Sequence, residues 1–99
     1  MECVLKKTSQ FKASFKLERK RGLDITLLEN IVNKLMKDEP LEEKNHNHEL
    51  VGDFKGIWEC RIQPDWLLLY LKEYDDKIKK NVLVLTLVNT GKHSDIFKK

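Results

Sequence analysis

Two short apolar runs near the C-terminal end constrain the fold most strongly, WLLLYL at 66–71 and VLVLTLV at 82–88. Each run is far shorter than the roughly 20 residues of a membrane-spanning helix. A strand that is apolar on both faces has to be covered on both faces, so the runs predict two interior strands. The preceding GIWECRI at 56–62 alternates instead. It predicts a strand with one face formed by Trp58, Cys60 and Ile62 and the other by Ile57, Glu59 and Arg61.

A helix hairpin is predicted in the N-terminal half. Thr8 or Ser9 can cap the first helix, and Gly22 can end it in a left-handed conformation. Asp24 can cap a second helix, which Pro40 limits. The apolar residues of the second helix keep helical spacing and predict its core face: Leu28, Ile31, Val32, Leu35 and Met36.

The predicted order is β-α-α-β-β-β, in one domain over residues 1–99. ECVLKK at 2–7 supplies the first strand, and the polar stretches at 40–53 and 72–81 are predicted as connections. This order predicts an α+β fold, with a mostly antiparallel sheet, the helix hairpin on one face and a short C-terminal helical turn. The other face is left for a partner or a functional surface.

Charge is distributed unevenly along the chain. The net charge is +5 over residues 1–22, −5 over 23–53 and +3 over 54–99. Basic ends are compatible with a bound polyanion, although composition alone favours a solvated lysine-rich surface. The first ten residues lack the apolar core of a signal peptide, so we expect a cytoplasmic protein without a membrane segment. Cys3 and Cys60 are then expected to be reduced and to pack as small apolar residues.

The histidines are the main candidates for proton transfer. His48 precedes the alternating strand, His93 follows the last one, and Asp65 stands at the entrance to the strand between them. Cleavage of RNA by its own 2′-hydroxyl needs a base, an acid and cations that hold the phosphorane charge, and imidazole can serve as base or acid near neutral pH. Asp65 can alternatively be a simple turn residue. His46 is interpreted as a solvated loop residue.

Several other side chains are candidates for holding RNA. Arg61 offers a planar fork of donors to a phosphate, and Lys55 and Lys92 can add phosphate contacts. Trp66 and Phe97 offer flat faces to unstacked bases. Packing remains the alternative for both rings, in the core for Trp66 and as an anchor of the tail for Phe97. Glu59 can pair with Arg61, which would weaken that arginine for phosphate.

The chain also resembles a known family over nearly its whole length. NHELVGDFKGIWECRIQPDWLLLYL is similar to the core of the RelE superfamily of bacterial toxins, in its YafQ-like branch, with a His, a Leu-x-Gly step and a Pro-Asp-Trp motif. GKHSDIF resembles the C-terminal Gly-x-His-x-x-(Leu/Ile)-Phe of that branch, and the segment from FKASF to DEPL resembles its helix hairpin. The resemblance matches the functional positions of the branch to His48, Asp65, Trp66, His93 and Phe97.

The resemblance implies a ribosome-dependent mRNA endonuclease that works without a metal or other cofactor. It also implies a cognate antitoxin that holds the toxin inactive. One position departs from the pattern, because Arg61 stands where the branch commonly has histidine, and arginine cannot shuttle a proton. This departure leaves open a non-nucleolytic member of the fold, like the ParE-type relatives that inhibit a protein target.

A metal site is the alternative chemistry. HNH at 46–48, together with His93, Cys60 or Asp65, offers zinc ligands. The spacing matches known zinc motifs poorly, because two histidines in a loop stand without a cysteine pair.

Overall fold

A computed structural model describes residues 2–54, 56–75 and 82–97. Its sheet has five strands in the order β1-β5-β4-β3-β2, in which β1 and β5 are parallel and the other neighbours antiparallel. The strands are β1 (Glu2–Lys7), β2 (His48–Glu49), β3 (Trp58–Gln63), β4 (Trp66–Asp75) and β5 (Val82–Gly91). The helices are α1 (Ser9–Lys20), α2 (Ile25–Met36) and α3 (His93–Ile96). The predicted α+β class, the helix hairpin and the C-terminal helical turn are confirmed.

The helix hairpin begins and ends where local chemistry requires. Thr8 accepts the Phe11 N–H at 3.0 Å, and Asp24 accepts the Thr26 N–H at 3.0 Å, so both predicted N-caps form. Each helix ends in a Schellman motif, with Gly22 (φ 83°) after α1 and Asp38 (φ 58°) after α2 in the left-handed region. The second helix therefore ends at Met36, before the limit that Pro40 sets.

The core lies between this hairpin and one face of the sheet, which we call the helix face. Its buried residues come from both helices and from three strands. From the helices come Phe11, Leu28, Ile31, Val32 and Leu35, and from the strands Cys60, Trp66, Leu68, Tyr70, Leu85 and Leu87. Trp58 and Ile62 pack against this core, so the predicted alternation of β3 is correct.

Two segments predicted as connections contain strand residues. His48 and Glu49 pair with Glu59 and Trp58 and form β2, which adds a fifth strand at the edge. Strand β4 continues to Asp75, because its backbone pairs with β5 as far as Val82. The rest of that connection, 76–81, lies outside the described residues.

The other face of the sheet, which we call the site face, is not free of helix. Leu67 and Leu69 point to it, yet they are buried, with 2% and 1% exposure. Ile96 of α3 and Phe54 line a cleft with Leu69, so the C-terminal turn folds back over this face. The expectation of an uncovered second face is therefore wrong in part. Across the described residues, no helix is long and apolar enough to span a membrane.

Candidate active site

The strand register places the candidate residues in two neighbouring rows of the site face. Cross-strand pairing joins His48, Glu59, Leu69 and Asn89 in one row. The next row contains Arg61, Leu67 and Gly91. Residues paired across a sheet present their side chains to the same face. The two leucines therefore form an apolar floor between polar groups on β2 and β3 and the end of β5.

His48 is held through both of its ring nitrogens. Nδ1 lies 2.6 Å from the carbonyl oxygen of His46, which can only accept, so Nδ1 carries the proton. Nε2 faces Oε1 of Glu59 at 3.5 Å. Because the His46 carbonyl fixes the tautomer, Nε2 is the nitrogen left to gain or lose a proton. The side chain is half exposed, so it is open to a substrate.

Glu59, the partner of His48, was not counted among the catalytic candidates in the sequence analysis. It is only 6% exposed, and its Oε2 has no hydrogen-bond partner. The predicted pairing of Glu59 with Arg61 is wrong, because the carboxylate points along the His48 row. Its position on the outward side of an alternating strand was the available signal. A buried carboxylate with an unpaired oxygen is costly and is typical of a functional site.

Asp65 lies at the turn between β3 and β4, close to the residue that follows β5. Its Oδ2 is 3.9 Å from Nζ of Lys92, and both side chains are at least half exposed. Because β4 and β5 are antiparallel, the start of one lies beside the end of the other. The structure thus brings Asp65 near the neighbour of His93, as the strand order predicts.

His93 opens the short helix α3, and its ring contacts an aromatic pair. The ring centroid lies 4.7 Å from that of Phe97, which in turn meets Phe54 edge-on at 5.4 Å. Phe54 precedes β3, so this chain of rings reaches from the end of β5 across the sheet toward the loop between β2 and β3. Sequence reasoning missed Phe54, which no strand or helix pattern marks.

Arg61 is exposed, and its backbone is fixed from the loop that carries His46. Asn45, 4% exposed, donates from Nδ2 to the Arg61 carbonyl at 2.7 Å. The side chains of Lys44, His46 and Arg61 line one cleft beside the turn at Pro64. Within the described ranges, the Arg61 guanidinium makes no ion pair, which leaves its donors available to a phosphate.

Trp66 is in the core and not on the RNA-facing surface. Its side chain lies on the helix face, and the residue is 1% exposed. Its Nε1–H donates to Oγ1 of Thr90 at 2.9 Å, and that hydroxyl donates to the Leu67 carbonyl at 2.7 Å. The expectation that Trp66 stacks on RNA therefore needs correction. Lys55, predicted to contact phosphate, lies outside the described residues.

The predicted residues form two groups rather than one. His48 and Glu59 lie at the β2 side, whereas Asp65, Lys92 and His93 lie where β4 begins and β5 ends. Three strand spacings of about 4.8 Å separate the backbones of β2 and β5 by roughly 14 Å. In the described part of the chain, no three His, Cys, Asp or Glu side chains gather as metal ligands.

Comparison with known proteins defines the class. The fold matches the crystal structure of YafQ from Escherichia coli BL21(DE3), with a TM-score of 0.82 and 27% identity over 97% of this chain and 99% of that one. It also matches the E. coli DinJ–YafQ toxin–antitoxin complex, with a TM-score of 0.81 and 28% identity over 98% and 99%. The mRNA interferase toxin YafQ of E. coli K12 is 30% identical over 91% of this chain and 90% of its own.

These similarities place the chain among the toxins of bacterial type II toxin–antitoxin systems. Within that class it belongs to the YafQ family, whose model, described as a bacterial toxin of a type II toxin–antitoxin system, matches residues 3–98.

Proposed function

We propose that the chain is an endoribonuclease that cleaves mRNA on the ribosome by attack of the 2′-hydroxyl. The observation that supports this proposal best is the fixed His48 imidazole, whose Nε2 faces the buried carboxylate of Glu59. The name mRNA interferase, given to its E. coli relative, agrees with this chemistry. No metal or other cofactor is needed, because the proton transfers use side chains of the chain itself.

The proposed proton transfers need one base and one acid among these residues. His48 or Asp65 takes the 2′ proton, and His93 protonates the leaving 5′ oxygen. The His46 carbonyl orients the His48 ring, and the Glu59 carboxylate, which faces Nε2, stabilises the imidazolium form. We propose this assignment because His93 stands beside Lys92 and apart from the His48 pair.

Cations stabilise the phosphorane charge in this mechanism. Arg61 replaces the histidine common in the family and acts only as a donor to phosphate, because it stays protonated. Lys92 contacts the same charge when it leaves its weak surface pair with Asp65. Phe97, supported by Phe54, offers a ring to an unstacked base. Lys55 remains a proposed phosphate contact from sequence.

The first test compares wild type with His93→Ala on a reporter mRNA in a translation extract, mapped by primer extension. We expect new 5′ ends with wild type and a loss of cleavage rate of about 10²- to 10⁴-fold in the variant. The same mRNA without ribosomes tests ribosome dependence.

His46→Asn is the matched control for this test. His46 has φ 45°, a left-handed conformation that asparagine tolerates, and its carbonyl still accepts from His48. The control should cleave like wild type. Equal cleavage by wild type and His93→Ala would remove His93 from the mechanism, and an intact reporter with wild type would contradict the proposed activity.

A non-nucleolytic, ParE-like toxin is the second candidate. Arg61 favours it, because one proton-transfer group of the family is absent. Growth arrest with intact mRNA would support this candidate. The variant Arg61→His should raise the cleavage rate if the chain is a nuclease, and should leave the mRNA intact if the chain inhibits a protein target.

We further propose a cognate antitoxin as partner and the cytoplasm as the place of action. E. coli YafQ has been crystallised with its antitoxin DinJ. An acidic antitoxin segment over the basic rim of the site face would occupy the cations that hold RNA. The product of the neighbouring reading frame should copurify with the chain and abolish its toxicity. Undiminished toxicity on co-expression would contradict this pairing.

A further inference from the structure

Glu18 is a carboxylate buried on a lysine-rich helix. It is 1% exposed, although it belongs to the charged C-terminal turn of α1. Oε1 accepts from Nη1 of Arg21 at 3.0 Å, and Oε2 has no hydrogen-bond partner. A buried charge is costly unless it is paired. The burial of this carboxylate therefore indicates a role for its pair with Arg21.

Arg21 carries the connection from α1 to α3. The same Nη1 donates to Oδ2 of Asp95 at 3.1 Å, so one nitrogen joins two carboxylates from distant parts of the chain. Arg21 donates to Asp95 and lowers the pKa of its carboxyl. This hydrogen bond ties α3 to α1.

The backbone at Gly91 allows the two helices to meet. Gly91 has φ 150°, a conformation that side-chain-bearing residues rarely adopt. Oε1 of Glu18, Cβ of Asp95 and Cγ1 of Ile96 would lie 3.7–3.8 Å from a Cβ at this position. The chain therefore turns at Gly91, where β5 ends. This turn, directly before His93, brings α3 back against α1.

We propose that Glu18, Arg21 and Asp95 form a positioning network that sets His93 over the site face. This inference rests on the proposed function of His93 as the acid. Three of its features support a positional role. A helix of four residues is not stable alone, an exposed Arg–Asp pair contributes little to stability, and the network ends one turn or less from His93.

The sharpest variant is Asp95→Asn, because it removes the carboxylate charge that pairs α3 with Arg21 and leaves the buried Glu18–Arg21 pair intact. We expect kcat for mRNA cleavage to fall about ten- to a hundred-fold, with KM and the melting temperature unchanged. Arg21→Lys should keep part of the rate. Arg19→Met, on the same helix turn, is the control for loss of a cation and should cleave like wild type.

A double-mutant cycle tests whether Arg21 and Asp95 act together. If they form one network, adding Asp95→Asn to Arg21→Met should cause no further loss of kcat. Additive losses would show that each residue acts separately and would overturn the proposal.

A second readout does not depend on cleavage. In NMR spectra, Asp95→Asn and Arg21→Met should shift the His93 ring signals and weaken the cross-peak between Phe97 and Phe54, whereas Arg19→Met should do neither. If the wild-type chain fails to cleave RNA, the proposed function fails, and the spectra still decide on the network. Unchanged His93 and Phe97 signals in both variants would overturn it.

Discussion

The two faces of the sheet differ in whether their buried polar groups have hydrogen-bond partners. On the helix face, the Thr90 hydroxyl accepts from Trp66 and donates to the Leu67 carbonyl, so this polar group is fully paired. On the site face, Glu59 is almost as deeply buried, yet Oε2 has no partner. Paired groups stabilise a core, whereas an unpaired buried carboxylate lowers stability and remains available to chemistry. From this comparison we expect stability to depend mainly on the helix face and the proposed activity on the site face.

The largest expected effect is on the helix face. Leu68 is fully buried in the core, and Leu68→Ala should lower the free energy of unfolding by about 2–5 kcal/mol, because it leaves a cavity. Leu17→Ala, at a residue 46% exposed, is the control and should change it by less than about 0.5 kcal/mol. Urea unfolding measures both. A small loss for Leu68→Ala would mean that the core does not lie where we place it.

Glu59→Gln tests the site face. This variant should lose cleavage activity without losing stability. Cleavage should fall about 10²-fold, because an amide cannot stabilise the His48 imidazolium. The free energy of unfolding should stay equal or rise, because the neutral amide is cheaper to bury. The cleavage rate and the urea unfolding curve are both measured on the same protein preparation. If both the cleavage rate and the free energy of unfolding fell, Glu59 would be a structural residue.

Trp66→Phe tests the placement of the indole in the core. Loss of its hydrogen bond to Thr90 should cost about 1–2 kcal/mol of unfolding free energy. RNA binding by the variant, measured by fluorescence anisotropy below its unfolding transition, should equal that of wild type. If the variant lost RNA affinity but kept full stability, Trp66 would instead belong to the RNA-contacting surface.

The smallest effect concerns Asp38, which joins the end of α2 to β4. Lys72 and the Tyr74 hydroxyl both donate to Asp38 and hold the pKa of its carboxyl below the ordinary 3.8. A depressed folded-state pKa adds stability that is present above 3.8 and disappears as the pH falls through the lower folded value. Asp38→Asn should therefore be less stable than wild type by under about 1 kcal/mol at neutral pH.

Acid titration of Asp38→Asn measures this difference as a function of pH. It should vanish once the carboxyl of wild type is protonated. A difference that persists at the lowest pH would assign the stabilisation to packing rather than to charge.

Much of the fold could be predicted from the sequence because its signals are local. Helix caps at Thr8 and Asp24 and the apolar spacing of α2 depend on residues within one or two turns. Strand β2 and the last residues of β4 could not be predicted in this way. Their own residues are mostly polar, so they lack the apolar pattern from which the other strands were predicted.

The sequence by itself determined the class of fold, the order of the elements along the chain and the family, and it named His48, Asp65 and His93 as candidates. Only the tertiary structure decided which way the side chains point. It placed Trp66 in the core, turned Glu59 to His48, and brought Asp95 of α3 to Arg21 of α1. Local patterns record burial and turn preference, whereas these contacts arise where segments far apart in the chain meet.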